Sequence, residues 1–547
     1  MRNVAVILAV LAAASSAGAQ QTPLLRPAPL TVQEAVQMAV TANKNIAAAD
    51  FDRTEAEQRL LAARGAYEPH LLVEATRRRA NIPVASLVLG GSDGRLVETD
   101  FIASPSIVGL FPKWGGAYEV GFVSARLRTS DLFATLNPQY STSLTATLTQ
   151  PLLRRFRFDE TRREIAVAQQ NVNLSKDAFR VVVMDTVTEA VRNYWELAYA
   201  RSNVEIQQEG LRLAERQLES NRRAVDEGLL APVAVVEAQV QVETFQQTLA
   251  EARQQVQVAE NQLKQRILAD RSSPIWSVAL DPSSPTVAAD VNLDPGDAVA
   301  TAMAKRPELK QLNTQAEINR IDTRLFRELK RPQLDIVASY GLAGLAGAPV
   351  TGSPILFDVG DQALLERVNA LSIAAGLTPL PAEETGLGVV PPFMTGGLGR
   401  SLGSIFGLDF PTTRIGFVFS MPLFNRTAEA NLEASITAGR RLAAETDSME
   451  LEIEAEVRNT IAAVTSARER LSAAERQERA TLEQYESEQR RFNSGLSSVF
   501  LVLVRQIQLI AARTRALRAR IDHLQAVADY HRATGQTLDV YGIRVRP

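Results

Sequence analysis

The residues best placed to do chemistry are two histidines and a glycine run. His523 and His531 lie eight positions apart in a stretch of helical periodicity, which sets them about 80 degrees apart around the axis and two turns along it. A metal pair on a helix needs both imidazoles on one face with further ligands beside them, and neither an H-E-x-x-H pattern nor a carboxylate cluster accompanies these two. They read as helix-surface or seam residues. Gly397-Leu398-Gly399 with Gly403 resembles a phosphate loop only in its glycines, since position 402 is Leu and no strand-loop-helix frame surrounds it. That segment reads as a loop. With no cysteine, disulfides and lipidated cysteine anchors are excluded. No enzyme activity, metal or cofactor is expected.

The elements around these residues are long rather than compact. Ala, Gln, Glu, Arg and Leu dominate the 547 residues, the composition of long helices packed on one another. The formal charge is −3, or −4 without a leader containing Arg2, so no field of one sign points to nucleic acid. Residues 1–19 read as a secretory signal: Arg2, an apolar run from Val4 to Ala14, then Ala17-Gly18-Ala19 as a cleavage site. An uncleaved anchor is the alternative, and the run is too short to span a bilayer. No later apolar run reaches spanning length, so a membrane role would have to use strands.

After a proline-containing lead-in from Gln20, a first helix is expected from Thr31, with a T-x-x-E capping box to Glu34, as far as about Arg64. Gly65 and Pro69 stop it, and His70 to Arg77 alternates as a strand. Residues 80–139 are rich in Gly, Ser and Pro, with one extra hairpin expected near Val97 to Leu110 and Ala117 to Arg128, about a Lys113-Trp114-Gly115-Gly116 turn. Leu144, Ala146 and Leu148 then share one strand face and Thr145, Thr147 and Thr149 the other, up to Pro151. A helix follows from Asp159 to about Glu227, about 69 residues and roughly 100 Å long. Gly228-Leu229-Leu230-Ala231-Pro232 reverses the chain. In the return helix Val235, Val242, Leu249, Val256 and Leu263 recur every seventh residue, with Ala238, Phe245, Ala252 and Ala259 in the second seam position. Leu211, Ala214, Leu218 and Val225 answer them, which predicts an antiparallel coiled-coil hairpin.

Ser272 to Asn292 reads as a linker, after which the order repeats. Asp294 takes the place of Thr31 and Pro332 that of Pro69, each pair 263 residues apart. A helix to about Lys330, a strand from Leu334 to Tyr340 and a loop-like Gly341 to Pro411 with a short helix near Gln362 to Ala374 are expected. A strand from Ile415 to Met421, a long helix from Ala428 to Phe492 and a turn at Asn493-Ser494-Gly495-Leu496 come next. The last helix carries Leu496, Val499, Leu503, Ile507, Ile510, Thr514, Leu517, Ile521, Leu524 and Ala528 in near-heptad order and ends at Gly535. The chain thus divides into a first repeat 20–292, a second repeat 293–535 and a tail 536–547.

Pro69, Pro151, Pro332 and Pro422 stand at the four passages between helix and strand. The strands have the alternation of membrane barrel strands, apolar to lipid and small-polar to a lumen. Four core strands cannot close a barrel, and an open edge cannot sit in lipid, so several chains must combine; three give twelve strands. The helices, polar outside their seams, belong in water, which after a secretory leader is the periplasm.

At this point the chain resembles the TolC family of outer-membrane efflux ducts. The resemblance is carried by Leu30-Thr31-Val32-Gln33-Glu34-Ala35, Leu148-Thr149-Gln150-Pro151-Leu152-Leu153, Phe419-Ser420-Met421-Pro422-Leu423-Phe424, and the turns Glu227-Gly228-Leu229 and Ser494-Gly495-Leu496. It implies an α+β membrane protein: a homotrimer with a twelve-stranded outer-membrane β-barrel continuous with a long periplasmic α-helical barrel. It implies docking to a periplasmic adaptor protein and an inner-membrane pump, and passive export of drugs, metals or other substrates. The tips that would meet the adaptor are Gly228, Leu229, Leu230 and Pro232, and Gly495, Leu496 and Ser497. Residues near Asp270 to Asp290 and after Gly535 would form a belt around the helical barrel. The family's gate often carries acidic rings; the matching positions here are Ala234, Leu501 and Val504, with Arg505 close by, which suggests an apolar or weakly basic constriction. Leu501 and Val504 read equally as seam residues.

A periplasmic coiled-coil scaffold without a pore explains the helices but leaves the alternating strands and junction prolines without a purpose. A barrel-anchored adhesin or autotransporter would need a passenger domain, and none is visible.

Overall fold

The computed structural model describes residues 28–85, 94–131, 133–282, 291–350, 358–380 and 390–544, so the leader 1–19 lies outside the described residues, as do Pro23, Pro27 and Pro285. In chain order the expected first repeat contains β1 (Ala28–Leu30), α1 (Val32–Ala42), α2 (Lys44–Arg64), β2 (His70–Pro83), β3 (Arg95–Leu110), β4 (Ala117–Thr129), β5 (Leu136–Pro151), α3 (Glu160–Asp226), α4 (Val233–Ile267) and β6 (Leu280–Pro282). The second contains α5 (Pro295–Lys305), α6 (Pro307–Leu329), β7 (Gln333–Pro349), α7 (Asp358–Ala374), α8 (Leu398–Phe406), β8 (Pro411–Ser420), α9 (Arg426–Asn493) and α10 (Val499–Ala533), followed by a last turn, α11 (Thr537–Val540). The chain clusters into two compact units, one of Met1–Ala56, Val172–Gln315 and Leu442–Pro547, the other of Glu57–Asn171 and Ala316–Arg441.

The second of these units is built on one antiparallel sheet in the order β2-β3-β4-β5-β7-β8. This corrects the count of four core strands per chain: the extra hairpin is part of the sheet, inserted between β2 and β5, so the sheet has six strands among the described residues. The reason is register, because β3 pairs with β2 from His70↔Val108 to Pro83↔Arg95, and β4 with β5 from Ala117↔Thr149 to Leu127↔Gln139. The hairpin's turn is pinned at its base. Gln150 Nε2 donates to the Trp114 carbonyl at 2.7 Å, and a Cβ on Gly115, at φ +66°, would fall 2.6 Å from the Arg155 carbonyl.

Two segments expected to be loops are regular. Gly341 to Pro349 extends β7, and the glycines there serve close approach: a Cβ on Gly344 would lie 2.0 Å from the Ser401 carbonyl. The Gly397 run is the start of α8, whose buried Ser401 hydroxyl bonds Thr142 at 2.7 Å. The short helix expected at Gln362 starts at Asp358.

The other unit is helical. Its capping box forms as the sequence predicts, with Thr31 Oγ1 accepting from the Glu34 N–H at 3.2 Å and the Thr31 N–H donating to Glu34 Oε2 at 2.9 Å. Asp294 caps α5 by accepting from the Asp297 N–H at 2.9 Å. Each first helix is broken where the sequence predicted continuity. At one break Asn43 Nδ2 donates to the Arg266 carbonyl at 2.9 Å; at the other Arg306 Nη1 reaches the Ala533 carbonyl at 3.2 Å. A side chain at each break thus satisfies a carbonyl at the end of a return helix, which would otherwise be orphaned. The main apolar core joins Val36 and Ala39 of α1 to Val187, Tyr194 and Leu197 of α3, Leu263 of α4 and Ile521 of α10.

Candidate functional site: the helical tips and the two-faced sheet

The two reversals are built alike. Gly228 and Gly495 both adopt φ +74°, the left-handed conformation that terminates a helix and that glycine reaches without strain. The Gly228 N–H donates to the Val225 carbonyl at 2.9 Å and the Leu229 N–H to Ala224 at 2.8 Å; the Gly495 N–H donates to Phe492 at 2.9 Å and the Leu496 N–H to Arg491 at 2.9 Å. Each is a Schellman ending. It leaves the next side chain in solvent, with Leu229 73% and Leu496 71% exposed.

Behind the reversals, Ala234 of α4 packs with Val499 and Leu503 of α10, with Leu230 and Phe492 against them. Ala234 is therefore part of the inter-helix core, and Leu503 likewise. Leu501 points outward, 41% exposed, while Val504 and Arg505 are half-buried. The Arg505 guanidinium donates to Gln508 Oε1 at 2.8 Å and to Gln484 Oε1 at 3.3 Å, so its charge is hydrogen-bonded along the helix surface. Pro232 precedes α4 in helical conformation, and the Ser497 hydroxyl bonds the buried Glu488 carboxylate.

Sequence patterning missed the polar residues that brace these tips. Asn221 is fully buried; it accepts from Gln217 Nε2 at 2.8 Å and donates to the Ala234 carbonyl at 3.0 Å. Glu488 stands 267 residues further on, the separation of Gly228 and Gly495. The available signal was that 267-residue offset, which maps one buried polar residue onto the other. The heptad of α10 also shifts phase: Ile507 is 45% exposed, while Gln506 is buried and donates to the Gly210 carbonyl at 3.1 Å. Gly210 is required there, since a Cβ would come within 2.8 Å of the Phe245 ring. The helical seam expected from Ala238, Val242, Phe245, Ala214 and Leu218 does pack as one cluster.

Away from the tips, the helical unit holds a half-buried charge centre around the buried Arg306. Arg532 pairs with Glu308 at 2.9 Å and with Asp185, and Arg306 pairs with Glu456 at 2.8 Å and Glu308 at 3.2 Å. Burial alone would raise the Glu308 carboxyl; its own backbone N–H and the two guanidinium groups outweigh this and hold it below the ordinary glutamate value. His523 is buried on α10, and His531, beside the Tyr530 ring, is shifted down by burial. Burial also pushes the Tyr541 hydroxyl up to about 12.

The sheet separates two chemistries. Cross-strand register puts Leu71, Val73, Ile107, Val120, Ala146, Leu148, Ile336, Ala338, Ile415 and Phe417 on one face. Thr145, Thr147, Thr149, Ser339, Gly341 and Arg414 take the other. Ile415, Phe417 and Phe419 on edge strand β8 are 65–68% exposed. At the junctions, the carbonyl groups ending α6 are covered from neighbouring segments: Arg154 Nη2 donates to Leu329 at 2.6 Å and Asn425 Nδ2 to Lys330 at 3.0 Å. Pro69, Pro151, Pro332 and Pro422 each lie at or within two residues of a strand end, and the Leu152 N–H just after Pro151 bonds the Leu334 carbonyl at 2.8 Å. Among the described residues no helix is long and apolar enough to cross a membrane.

A sequence model described as outer membrane efflux protein matches residues 108–267 and 395–536, more than half of the chain. No curated protein sequence matches the chain. Among solved structures, the Campylobacter jejuni outer membrane channel CmeC superposes with a TM-score of 0.62 at 13% identity, over 92% of this chain and 86% of that one. CusC gives 0.62 at 14% identity over 95% of each chain, and the Vibrio cholerae outer membrane protein VceC 0.60 at 13% over 92% and 96%. At such identities the likeness is one of fold.

Proposed function

We propose, from the premise that this chain belongs to the outer membrane efflux protein family, that it is the outer-membrane exit duct of a tripartite efflux or type I secretion system. The observation that carries this reading is the sheet: one apolar face, exposed except where α8 covers Thr142 and Gly344, one small-polar face, and two edges, β2 and β8, with no strand beside them among the described residues. Such a sheet is at home only where lipid covers its apolar face and another copy covers its edges. Three copies pairing β8 of one with β2 of the next close it. With six strands from each, the wall counts eighteen rather than twelve, about half as wide again, since barrel diameter grows nearly in proportion to strand number. Thr145, Thr147 and Thr149 then face an aqueous lumen.

The long helices stand in the periplasm below an outer membrane, with Leu229 and Leu496 at the tips engaging an adaptor, and an inner-membrane pump driving passive transport through the duct. The repeats 20–292 and 293–535 supply equivalent legs, and the tail 536–547 with the segment near Asp270 belongs to the belt around them. Exposed Leu501 with Val504 forms an apolar constriction. The duct is no enzyme and takes no cofactor. A scaffold without a pore would leave Ile415, Phe417 and Phe419 in water. Membrane fractionation of the expressing cell and conductance of the purified protein in planar bilayers test the proposal. Outer-membrane recovery with discrete conductance steps is expected; a soluble, non-conducting protein overturns it.

A further inference from the structure

The apolar face of the sheet does not stay apolar along its whole length. On β2, Leu71, Val73 and Ala75 give way to Arg77 and Arg79, and on β4, Val120 and Phe122 give way to Arg126 and Arg128, all on that one face. Register aligns them in two rows: Arg77 lies opposite Phe101, which lies opposite Arg126, and Arg79 opposite Thr99, which lies opposite Arg128. At ordinary strand spacing the four guanidinium stems form a grid of about 10 Å by 7 Å. No acid shares this face of β2, β3 or β4, and among the described residues none of the four makes an ion pair. The contrast with Arg78, one residue away on the opposite face, is direct: it is held by Asp100 at 2.8 Å and Glu98 at 3.6 Å. Arg77, Arg79 and Arg128 are exposed, and Arg126 lies over the Tyr140 ring at 5.8 Å from its centroid.

Unpaired arginines on the lipid side of a barrel are costly at the bilayer centre and nearly free at the interface. Their position just past the apolar band, at the strand ends remote from the β3–β4 turn, with Phe101 and Tyr140 among them, marks the headgroup level. Guanidinium groups bind phosphate oxygens by paired, charge-assisted hydrogen bonds. Resting on the reading of this sheet as an outer-membrane wall, we propose that Arg77, Arg79, Arg126 and Arg128 form a binding site for the phosphate groups of a phosphorylated lipid in the outer leaflet. Two of the four come from the inserted hairpin, so the hairpin both widens the wall and completes the site.

The test compares wild-type protein, the variant with all four arginines changed to Gln, each double variant (Arg77→Gln with Arg79→Gln; Arg126→Gln with Arg128→Gln) and Arg78→Gln. Each is reconstituted in neutral phosphatidylcholine vesicles with and without lipid A, and flotation of every variant with neutral vesicles establishes insertion. The affinity for lipid A should fall about fivefold for each arginine removed and stay unchanged in Arg78→Gln. Dephosphorylated lipid A should bind wild-type protein as weakly as lipid A binds the fourfold variant. Equal lipid A affinity in wild type and the fourfold variant overturns the proposal, as does undiminished binding of the dephosphorylated lipid. Full displacement by millimolar inorganic phosphate overturns the lipid as the ligand and leaves a free-anion site. Wild-type protein that does not float with neutral vesicles defeats the membrane-wall reading itself, and the proposal with it.

Discussion

Gly228 and Gly495, 267 residues apart, close two helices with the same backbone: both at φ +74°, both donating to the carbonyl three residues back, both followed by an exposed leucine. The match between the two turns is a matter of backbone, because a Cβ at either glycine would have open space around it. Gly228→Ala and Gly495→Ala should each cost about 1 kcal/mol through the left-handed conformation alone. Asn at either position should cost less. Chemical denaturation checks this; an alanine variant as stable as wild type would mean that the tips relax into another ending.

The caps of α1 and α5 offer a local test. Thr31→Ala should destabilise by about 1 kcal/mol and speed hydrogen exchange at the Glu34 amide, which loses its acceptor. Asp294→Ala should do the same at the Asp297 amide. Unchanged protection at both amides would contradict the capping.

Acid should loosen the Arg306–Glu308–Arg532 centre. The folded Glu308 carboxyl lies below its unfolded value, so its stabilisation is complete above the unfolded value of about 4.3 and is lost as pH falls through the folded one. Stability measured from pH 7 downward should therefore drop less steeply below about pH 5 in Glu308→Gln than in wild type. Superimposable profiles would remove Glu308 from the acid response.

The constriction is tested at Leu501, the most exposed of the gate candidates. Leu501→Asp places a carboxylate in each copy and should raise conductance and cation selectivity in planar bilayers. Unchanged conductance and selectivity would return Leu501 to an ordinary helix-surface role.

What could be read from the sequence follows how local each cause is. Thr31 with Glu34, Gly228, Gly495 and the alternation around Leu144 and Leu148 act through neighbours in the chain, and the helices, tips and strand faces were visible from them. The helix breaks at Asn43 and Arg306 carry local marks that the helical periodicity overrides, Pro307 as the first residue of α6 and Asn43 Oδ1 accepting from the Asn45 N–H at 2.8 Å, but the bonds that hold them reach carbonyls at Arg266 and Ala533, more than 220 residues away. Gly344 looked like a loop glycine because its reason, the Ser401 backbone against it, is tertiary. The hairpin of β3 and β4 was foreseen, but its membership in the sheet follows only from pairing with β2 and β5. In α10, Gln506 replaces Ile507 inside because a straight helix drifts out of a strict seven-residue repeat, and the amide finds the Gly210 carbonyl.

Closure of three six-strand sheets through β8 and β2 is the claim on which the duct rests. A chain without cysteine allows it to be measured cleanly: one cysteine at Val73 on β2, combined in turn with one at Ile415, Phe417 or Phe419 on β8, then oxidised in isolated outer membranes. Covalent ladders that end at the trimer, from at least one of the three pairs, are the expected result. Monomer alone from every pair, or a ladder running past the trimer, would contradict a barrel closed by three copies of this chain.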